Sequence, residues 1–161
     1  MPNWPPEVIL TPCSQTKRRV SDVQEAQIIA LVSNSTESLF RFRGSLISAL
    51  ISDGYTVFTI APSGSHDNEL SRLGAHFINW DLNRKSLNVL GEVRSVYQLW
   101  RIYRRINPTI AQHYTVKPNI YGAIAAKLAG VSVTIGAITG LGEVFAGRGP
   151  GYWLFAKLIA I

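Results

Sequence analysis

The chain has 161 residues, of which 47% are hydrophobic and 16% are charged, and its net charge is +6. This length supports one domain with its own core, and the positive charge favours polyanions, anionic lipid or phosphorylated substrates without choosing among them. The single cysteine, Cys13, excludes an internal disulfide, and no apolar run reaches the ~20 residues that a membrane-spanning helix needs. We therefore expect a cytoplasmic protein.

The first 26 residues contain four of the eight prolines and no sustained hydrophobic period, so residues 1–26 are predicted to be a poorly ordered lead-in. In chain order, the elements predicted after it are a strand over 27–33, a helix over 42–54, a strand over 55–62, a helix over 67–74, a strand over 75–82, a helix over 90–107, a strand over 109–114, a helix over 118–130 that starts on Pro118, a strand over 131–139, a glycine-rich loop and a helix that begins at Tyr152.

Strand and helix therefore alternate five times. This alternation predicts an α/β domain with a Rossmann-like, doubly wound parallel sheet. In such sheets ligands bind beyond the carboxyl ends of the strands, so the junctions that follow the strands are where we look for function.

The first junction, "NSTESLFRFRGS", lacks the G-x-G-x-x-G pattern of a dinucleotide site. Its one glycine, Gly44, is predicted at the start of the helix, beside Arg41 and Arg43. These residues suit a sugar or a phosphate better than a dinucleotide. A nicotinamide-dependent nucleotide-sugar epimerase is therefore disfavoured, and no cofactor is predicted.

The stretch "HYTVK" follows the fourth predicted strand, so its polar groups are expected to face the crevice. His113 is the candidate catalytic residue, with the alternative that it is structural. Thr115 and Lys117 are candidate substrate-binding residues, and Lys117 would hold an anion or orient a hydroxyl. If the His113 ring faces a wet cleft, its removal should slow the reaction and leave stability nearly unchanged.

Two other junctions carry candidate substrate-binding residues. Arg84 and Lys85 follow the third strand and form either an anion clamp or an exposed basic loop. Gly140 and Gly142 follow the fifth strand and would permit close approach of a ligand or of a second domain. Glu143 is either a general base or an exposed surface residue. No metal site is predicted.

The predicted helix over 90–107 combines four arginines with an apolar stripe at spacings of three and four, which comprises Val93, Val96, Tyr97, Trp100 and Tyr103. Such a stripe is typical of a helix that covers a sheet. The alternative is a basic amphipathic surface that contacts anionic lipid.

Four segments, taken as a set, carry a family resemblance: "IALVSNSTESLFRFRGSLISALISDGYTVFTIAP", "NRKSLN", "HYTVKPNIYGAIAAKLAGV" and "ITGLGEVF". They resemble the N-terminal domain of family 4 glycosyltransferases that build bacterial capsule, lipopolysaccharide and lipid-linked oligosaccharides. The resemblance implies the N-terminal half of a GT-B fold, which would comprise residues 27–161 and be incomplete at its C-terminus.

The resemblance also implies a function. Such enzymes transfer a sugar from a nucleotide sugar, typically UDP-linked, to a lipid-linked acceptor at the inner face of the plasma membrane, with retention of configuration and usually without a metal. The resemblance places Gly44 near the donor phosphates and matches His113 to the active-site histidine. It also places Lys117 and the "TGLG" loop in the cleft.

Because the chain ends at Ile161, without the donor-binding domain, we expect it to be inactive alone. The alternatives are the acceptor half of a split enzyme, or a stand-alone module that binds a phosphorylated or lipid-linked ligand.

Overall fold

The computed structural model describes residues 27–82 and 89–138. Their elements are β1 (Ile28–Val32), α1 (Thr36–Ser52), β2 (Thr56–Ala61), α2 (Asp67–Arg72), β3 (His76–Asn79), α3 (Val89–Ile106), β4 (Ile110–Tyr114), α4 (Val116–Ala129) and β5 (Val133–Ala137). The predicted lead-in over residues 1–26, the glycine-rich loop and the helix from Tyr152 lie outside the described residues.

The strands form one parallel sheet in the order β3-β2-β1-β4-β5. The chain builds outward from β1 through β2 to β3, then crosses back to place β4 on the other side of β1. The direction of winding therefore changes between β1 and β4, and this is the point where such sheets bind ligands. The predicted fold class, a Rossmann-like doubly wound sheet, is confirmed.

The sheet separates two hydrophobic cores, because successive side chains of a strand point to opposite faces. In β1, Ile29 and Leu31 join the core under α1 and α2, whereas Ala30 and Val32 join the core under α3 and α4. Burial on both faces explains why β1 is an uninterrupted apolar run in the sequence.

Helix α1 starts six residues earlier than predicted, at Thr36. The Ser35 side chain caps the helix by accepting a hydrogen bond of 3.2 Å from the Ser38 backbone N–H. Residues 36–41, which the prediction placed in the junction after the first strand, instead lie on the helix. Gly44 is consequently the ninth helical residue, about 12 Å from the first at ~1.5 Å per residue.

Helix α3 has two apolar faces, which corrects the single stripe that the sequence predicted. Leu99, Tyr103 and Ile106 are buried against the sheet. Val93 and Tyr97, by contrast, are 61% and 54% exposed and face away from the core.

Helix α4 begins at Val116, two residues before its predicted start, so Pro118 occupies the third helical position rather than the first. A proline fits there because the N–H groups of the first turn have no partner within the helix.

Candidate active site

A cavity of about 210 Å³ lies at the carboxyl ends of β1 and β4, where the winding direction changes. Its described lining residues are Asn34, Leu82, Thr115, Val116 and Lys117. The sequence-predicted residues Thr115 and Lys117 thus come together, and Asn34 joins them from the β1–α1 junction. We call this cavity the switch-point pocket.

Thr115 has a strained backbone in this pocket, with φ 70° and ψ 168°. Positive φ is an outlier for a β-branched residue and costs roughly 1–3 kcal/mol. The conformation is held by two backbone hydrogen bonds, one that the Thr115 N–H donates to the Ala137 carbonyl at 3.2 Å and one that its own carbonyl accepts from the Asn119 N–H at 3.1 Å. The Thr115 hydroxyl is buried and has no hydrogen-bond partner within the described residues. Strain and an unpaired polar atom at a ligand-binding edge both indicate a functional site.

Lys117 is anchored at the edge of the pocket by a contact between α3 and α4. Its Nζ donates to Glu92 Oε1 at 2.9 Å, and the Tyr121 hydroxyl donates to Glu92 Oε2. The Lys117 and Glu92 side chains are only 24% and 21% exposed, so solvent screens the pair less than it would an open surface pair. We call these three residues the Glu92 network.

The ionisation of the network follows from these contacts. Burial raises the pKa of Glu92, but the hydrogen bonds from Tyr121 and Lys117 outweigh it, so the net pKa is lowered. Burial, together with the adjacent Glu92 carboxylate, raises the pKa of Tyr121 to about 12. At neutral pH the network therefore contains a carboxylate that accepts hydrogen bonds from a protonated phenol and from Lys117.

His113 does not face the crevice. Its side chain is fully buried, and its Nε2 shares a hydrogen bond of 2.7 Å with the Tyr103 hydroxyl on α3. The expectation of a ring in a wet cleft is wrong, because His113 points to the face of the sheet that α3 and α4 cover. A catalytic role for His113 stays a prediction, but its described contacts are those of a residue that positions helices.

Gly122 of α4 makes room for the imidazole. A Cβ at Gly122 would lie 2.0 Å from His113 Cδ2 and 2.1 Å from Nε2, far inside van der Waals contact. Any residue other than glycine would therefore push α4 away from β4. The imidazole is enclosed by Tyr103 from one helix and Gly122 from the other.

Burial lowers the pKa of His113 to about 4, and a hydrogen bond from the ring to the Ile135 backbone opposes only part of this shift. By distance and angle, Nδ1 has no hydrogen-bond partner among the described residues, so this opposing effect is small. The ring is therefore neutral at physiological pH.

Arg43 and Gly44 are not among the described residues that line the switch-point pocket. The Arg43 guanidinium lies 4.4 Å from the centre of the Tyr114 ring, on the α1 side of the sheet. Gly44 lies inside α1, where a Cβ would meet Leu73 Cδ1 at an ordinary 3.8 Å. Gly44 is therefore not in a phosphate-approaching loop, which corrects the expectation that rested on a helix starting near residue 42.

The remaining predicted site residues, Arg84, Lys85, Gly140, Gly142 and Glu143, lie outside the described residues. Sequence reasoning missed Glu92, Tyr121, Gly122 and Asn34. The sequence contained a signal only for Glu92, which is the one acidic residue in a helix that also carries four arginines. Tyr121, Gly122 and Asn34 could be identified only from the structure, which places α4 beside α3 and β1.

These features define an α/β protein whose candidate ligand site lies at the switch point of a parallel sheet. A profile of the family described as "Glycosyl transferase 4-like" matches residues 28–161, and the chain belongs to that family.

Among characterised proteins, the chain is similar to the N,N'-diacetylbacillosaminyl-diphospho-undecaprenol alpha-1,3-N-acetylgalactosaminyltransferase of Campylobacter jejuni. The two are 28% identical over 121 residues, which cover 75% of this chain and 32% of that protein. The chain thus spans about a third of the length of this relative.

Solved structures agree on the fold, which is that of the N-terminal half of a GT-B glycosyltransferase. A glycosyltransferase from Rickettsia africae matches with a TM-score of 0.56 and 19% identity, over 72% of this chain and 30% of that one. The calicheamicin glycosyltransferase CalG4 matches with a TM-score of 0.55 and 16% identity, over 83% and 36% of the two chains.

Two helical glycines should respond oppositely to alanine. Gly122→Ala places a methyl group inside the His113 ring, so we expect a loss of at least about 2 kcal/mol of unfolding free energy. Gly44→Ala is the matched control, since it has room for the methyl group and should gain up to about 1 kcal/mol through helix propensity. Urea unfolding measures both. A Gly122→Ala protein as stable as the wild type would contradict the buried contact.

The neutral, buried state of His113 predicts a pH-dependent stability. In the unfolded chain the histidine binds a proton below about pH 6.5, whereas in the folded chain it does so only below about pH 4. Between these values the unfolded state binds more protons, so stability falls as the pH is lowered, by about 3 kcal/mol in total, and levels off below pH 4.

Chemical denaturation from pH 7.5 to 4 tests this dependence. His113→Gln should flatten the curve, and His76→Gln, which alters an exposed histidine, should leave the fall in place. An unchanged slope in His113→Gln would show that other groups cause the fall.

Proposed function

We propose that this chain is the acceptor-binding part of a retaining glycosyltransferase, which moves a sugar from a nucleotide sugar, UDP-linked in our proposal, to a lipid-linked or growing surface glycan. The observation that carries the proposal is the switch-point pocket, with Lys117 and the N-terminus of α4 at its edge. This combination suits a diphosphate, because helix N-termini and lysines both favour anions. The Campylobacter jejuni relative, whose name specifies a diphospho-undecaprenol acceptor, supports that choice.

In the proposed reaction an acceptor hydroxyl attacks the anomeric carbon of the donor sugar while the bond from that carbon to the donor phosphate breaks. The departing phosphate takes the hydroxyl proton, so no protein base is needed for balance. The neutral His113 acts indirectly, by fixing the two helices that carry Lys117 and its partner Glu92. Thr115 and Lys117 are the proposed substrate contacts, and Arg43 holds the adjoining strand end through Tyr114.

The proposal also includes contact with anionic membrane through α3. Arg94, Arg101, Arg104 and Arg105 are all exposed, and so are the apolar side chains of Val93 and Tyr97. Tyr103, expected from the sequence to join this surface, is 1% exposed and does not contribute. Within residues 27–82 and 89–138, no helix is long and apolar enough to cross a bilayer. In our proposal the contact is peripheral, at the inner face of the plasma membrane.

Binding of a headgroup analogue tests the acceptor role. A monosaccharide joined through a diphosphate to a methyl group, titrated into the ¹⁵N-labelled chain, should shift the amide signals of Asn34, Thr115, Val116 and Lys117. Lys117→Gln should weaken binding about tenfold, the loss of one charge-assisted contact. Lys127→Gln, at the other end of α4, is the matched control and should bind normally.

The same chain should show no transfer of sugar from UDP-sugars to a lipid-linked acceptor by itself, since transfer needs both substrates held in one closed site and the chain corresponds to about a third of its relative. Turnover by the chain alone would contradict this expectation. Absence of headgroup binding at millimolar concentration, or equal effects of the two lysine variants, would overturn the acceptor assignment.

If α3 contacts the membrane, binding of the protein to anionic vesicles should depend on the basic residues of α3 and not on those of α1 and α2. Arg101→Gln/Arg104→Gln should lower partition onto phosphatidylglycerol vesicles about 30-fold, at about 1 kcal/mol per residue. The control Arg41→Gln/Arg72→Gln removes the same charge from α1 and α2 on the other face. Co-sedimentation should show binding that high salt removes. Equal losses in both double variants would mean that only net charge matters.

A further inference from the structure

An open groove of about 420 Å³ runs between α3 and α4, and its walls are almost wholly apolar. Its apolar lining comprises Val93, Val96, Tyr97, Trp100, Ile124 and Leu128. Several of these side chains are strongly exposed, with Val93 at 61% and Leu128 at 65%. A contiguous set of exposed apolar side chains in a concave surface is typical of a binding site rather than of ordinary protein surface.

The groove and the switch-point pocket are neighbours that share the Glu92 network. Glu92 and Tyr121 line the groove, whereas Lys117, which donates to Glu92 at 2.9 Å, lines the pocket. The Glu92 network therefore connects the wall of the apolar groove to the edge of the switch-point pocket. This arrangement fits one amphiphilic molecule that extends across both.

The charge around the groove selects the kind of amphiphile. Helices α3 and α4 together carry six basic residues and one acidic residue, the latter being Glu92, which is already paired with Lys117. The basic residues are Arg94, Arg101, Arg104, Arg105, Lys117 and Lys127. Their excess favours an anionic headgroup.

We propose that the α3–α4 groove binds the hydrocarbon chain of an isoprenoid lipid phosphate or diphosphate, with the phosphate at the Lys117 end. The inference rests on the proposed function and locates the lipid part of the acceptor, which that function left unplaced. The occupant is a single lipid chain rather than a bilayer surface, because the apolar walls are concave and lead to the pocket that receives the phosphate.

The chain length of the ligand provides the first test. Farnesyl phosphate, kept below its critical micelle concentration, is compared with methyl phosphate by calorimetry on the 161-residue protein. Burial of part of the chain should strengthen binding at least about 100-fold. The indole N–H signal of Trp100, assigned with Trp100→Phe, should shift with farnesyl phosphate and not with methyl phosphate.

Substitutions in the groove provide the second test. Ile124→Glu should remove the gain from the farnesyl chain, and Leu128→Gln, a milder change at a more exposed position, should reduce it about tenfold. Phe42→Glu is the matched control, because Phe42 is 72% exposed on α1, on the other face of the sheet. Thermal midpoints show whether each variant is folded.

Equal affinities for the two phosphates, or farnesyl binding that survives both groove substitutions, would overturn the inference. So would groove variants that lose only vesicle binding while monomeric farnesyl phosphate does not bind at all, since the groove would then be a bilayer contact. The saccharide diphosphate titration separates this failure from failure of the proposed function, because that ligand has no hydrocarbon chain.

Discussion

The packing of the His113 imidazole between Tyr103 and Gly122 is the contact on which the candidate site depends. It is the point where α3, α4 and β4 meet, and it leaves no room for any side chain on α4 at position 122. Because both helices are fixed to the same ring, their N-terminal ends are fixed relative to each other. That places Glu92 of α3 within hydrogen-bonding distance of Lys117 and Tyr121 of α4. The buried His113 thus helps to fix the position of Lys117, whose side chain is partly exposed.

The helices on the two faces of the sheet differ in what they leave exposed to solvent. On the α1 and α2 side, Tyr114 is packed in the core and its ring is covered by Arg43. On the α3 and α4 side, the helices bury Leu99, Tyr103 and Ala126 against the sheet and keep a second apolar face outside. A helix that only covered a sheet would need one apolar face. The second face of α3, together with its arginines, is the surface on which the proposed lipid contact rests.

Much of the fold was predictable because its signals are local. The apolar run at 28–32 and the glycine at 130, which adopts φ 78°, are enough to locate β1 and the end of α4. The start of α1 was predicted six residues late, because the prediction followed the apolar spacing from residue 42 onward and did not consider Ser35 as a cap. That error put Gly44 at the start of a predicted helix rather than in its interior, which agreed with the place near the donor phosphates that the family resemblance implied.

The site was less predictable because its contacts join distant parts of the chain. Glu92 and Tyr121 are 29 residues apart and meet only through helix packing. Successive side chains of β4 point to opposite faces of the sheet. A shift of one residue in the strand would therefore move the His113 ring to the other face. Sequence reasoning located the strand end correctly but expected the ring to face the crevice, whereas it points into the core under α3 and α4. Thr115 and Lys117 line the switch-point pocket because they lie where β4 ends and α4 begins, a junction that the sequence pattern located.

The protonation state of the His113 ring tests this account most directly. A long-range ¹H–¹⁵N correlation spectrum of the folded protein, recorded from pH 7.5 to 4.5, reports both ring nitrogens of each histidine. We expect the signals of His113, assigned with His113→Gln, to remain those of a neutral ring down to about pH 5, because burial lowers the pKa of that imidazole to about 4. A His113 ring that titrates near 6.5 in the folded protein would mean that it faces water, and the buried contact that orders α3 and α4 would not exist.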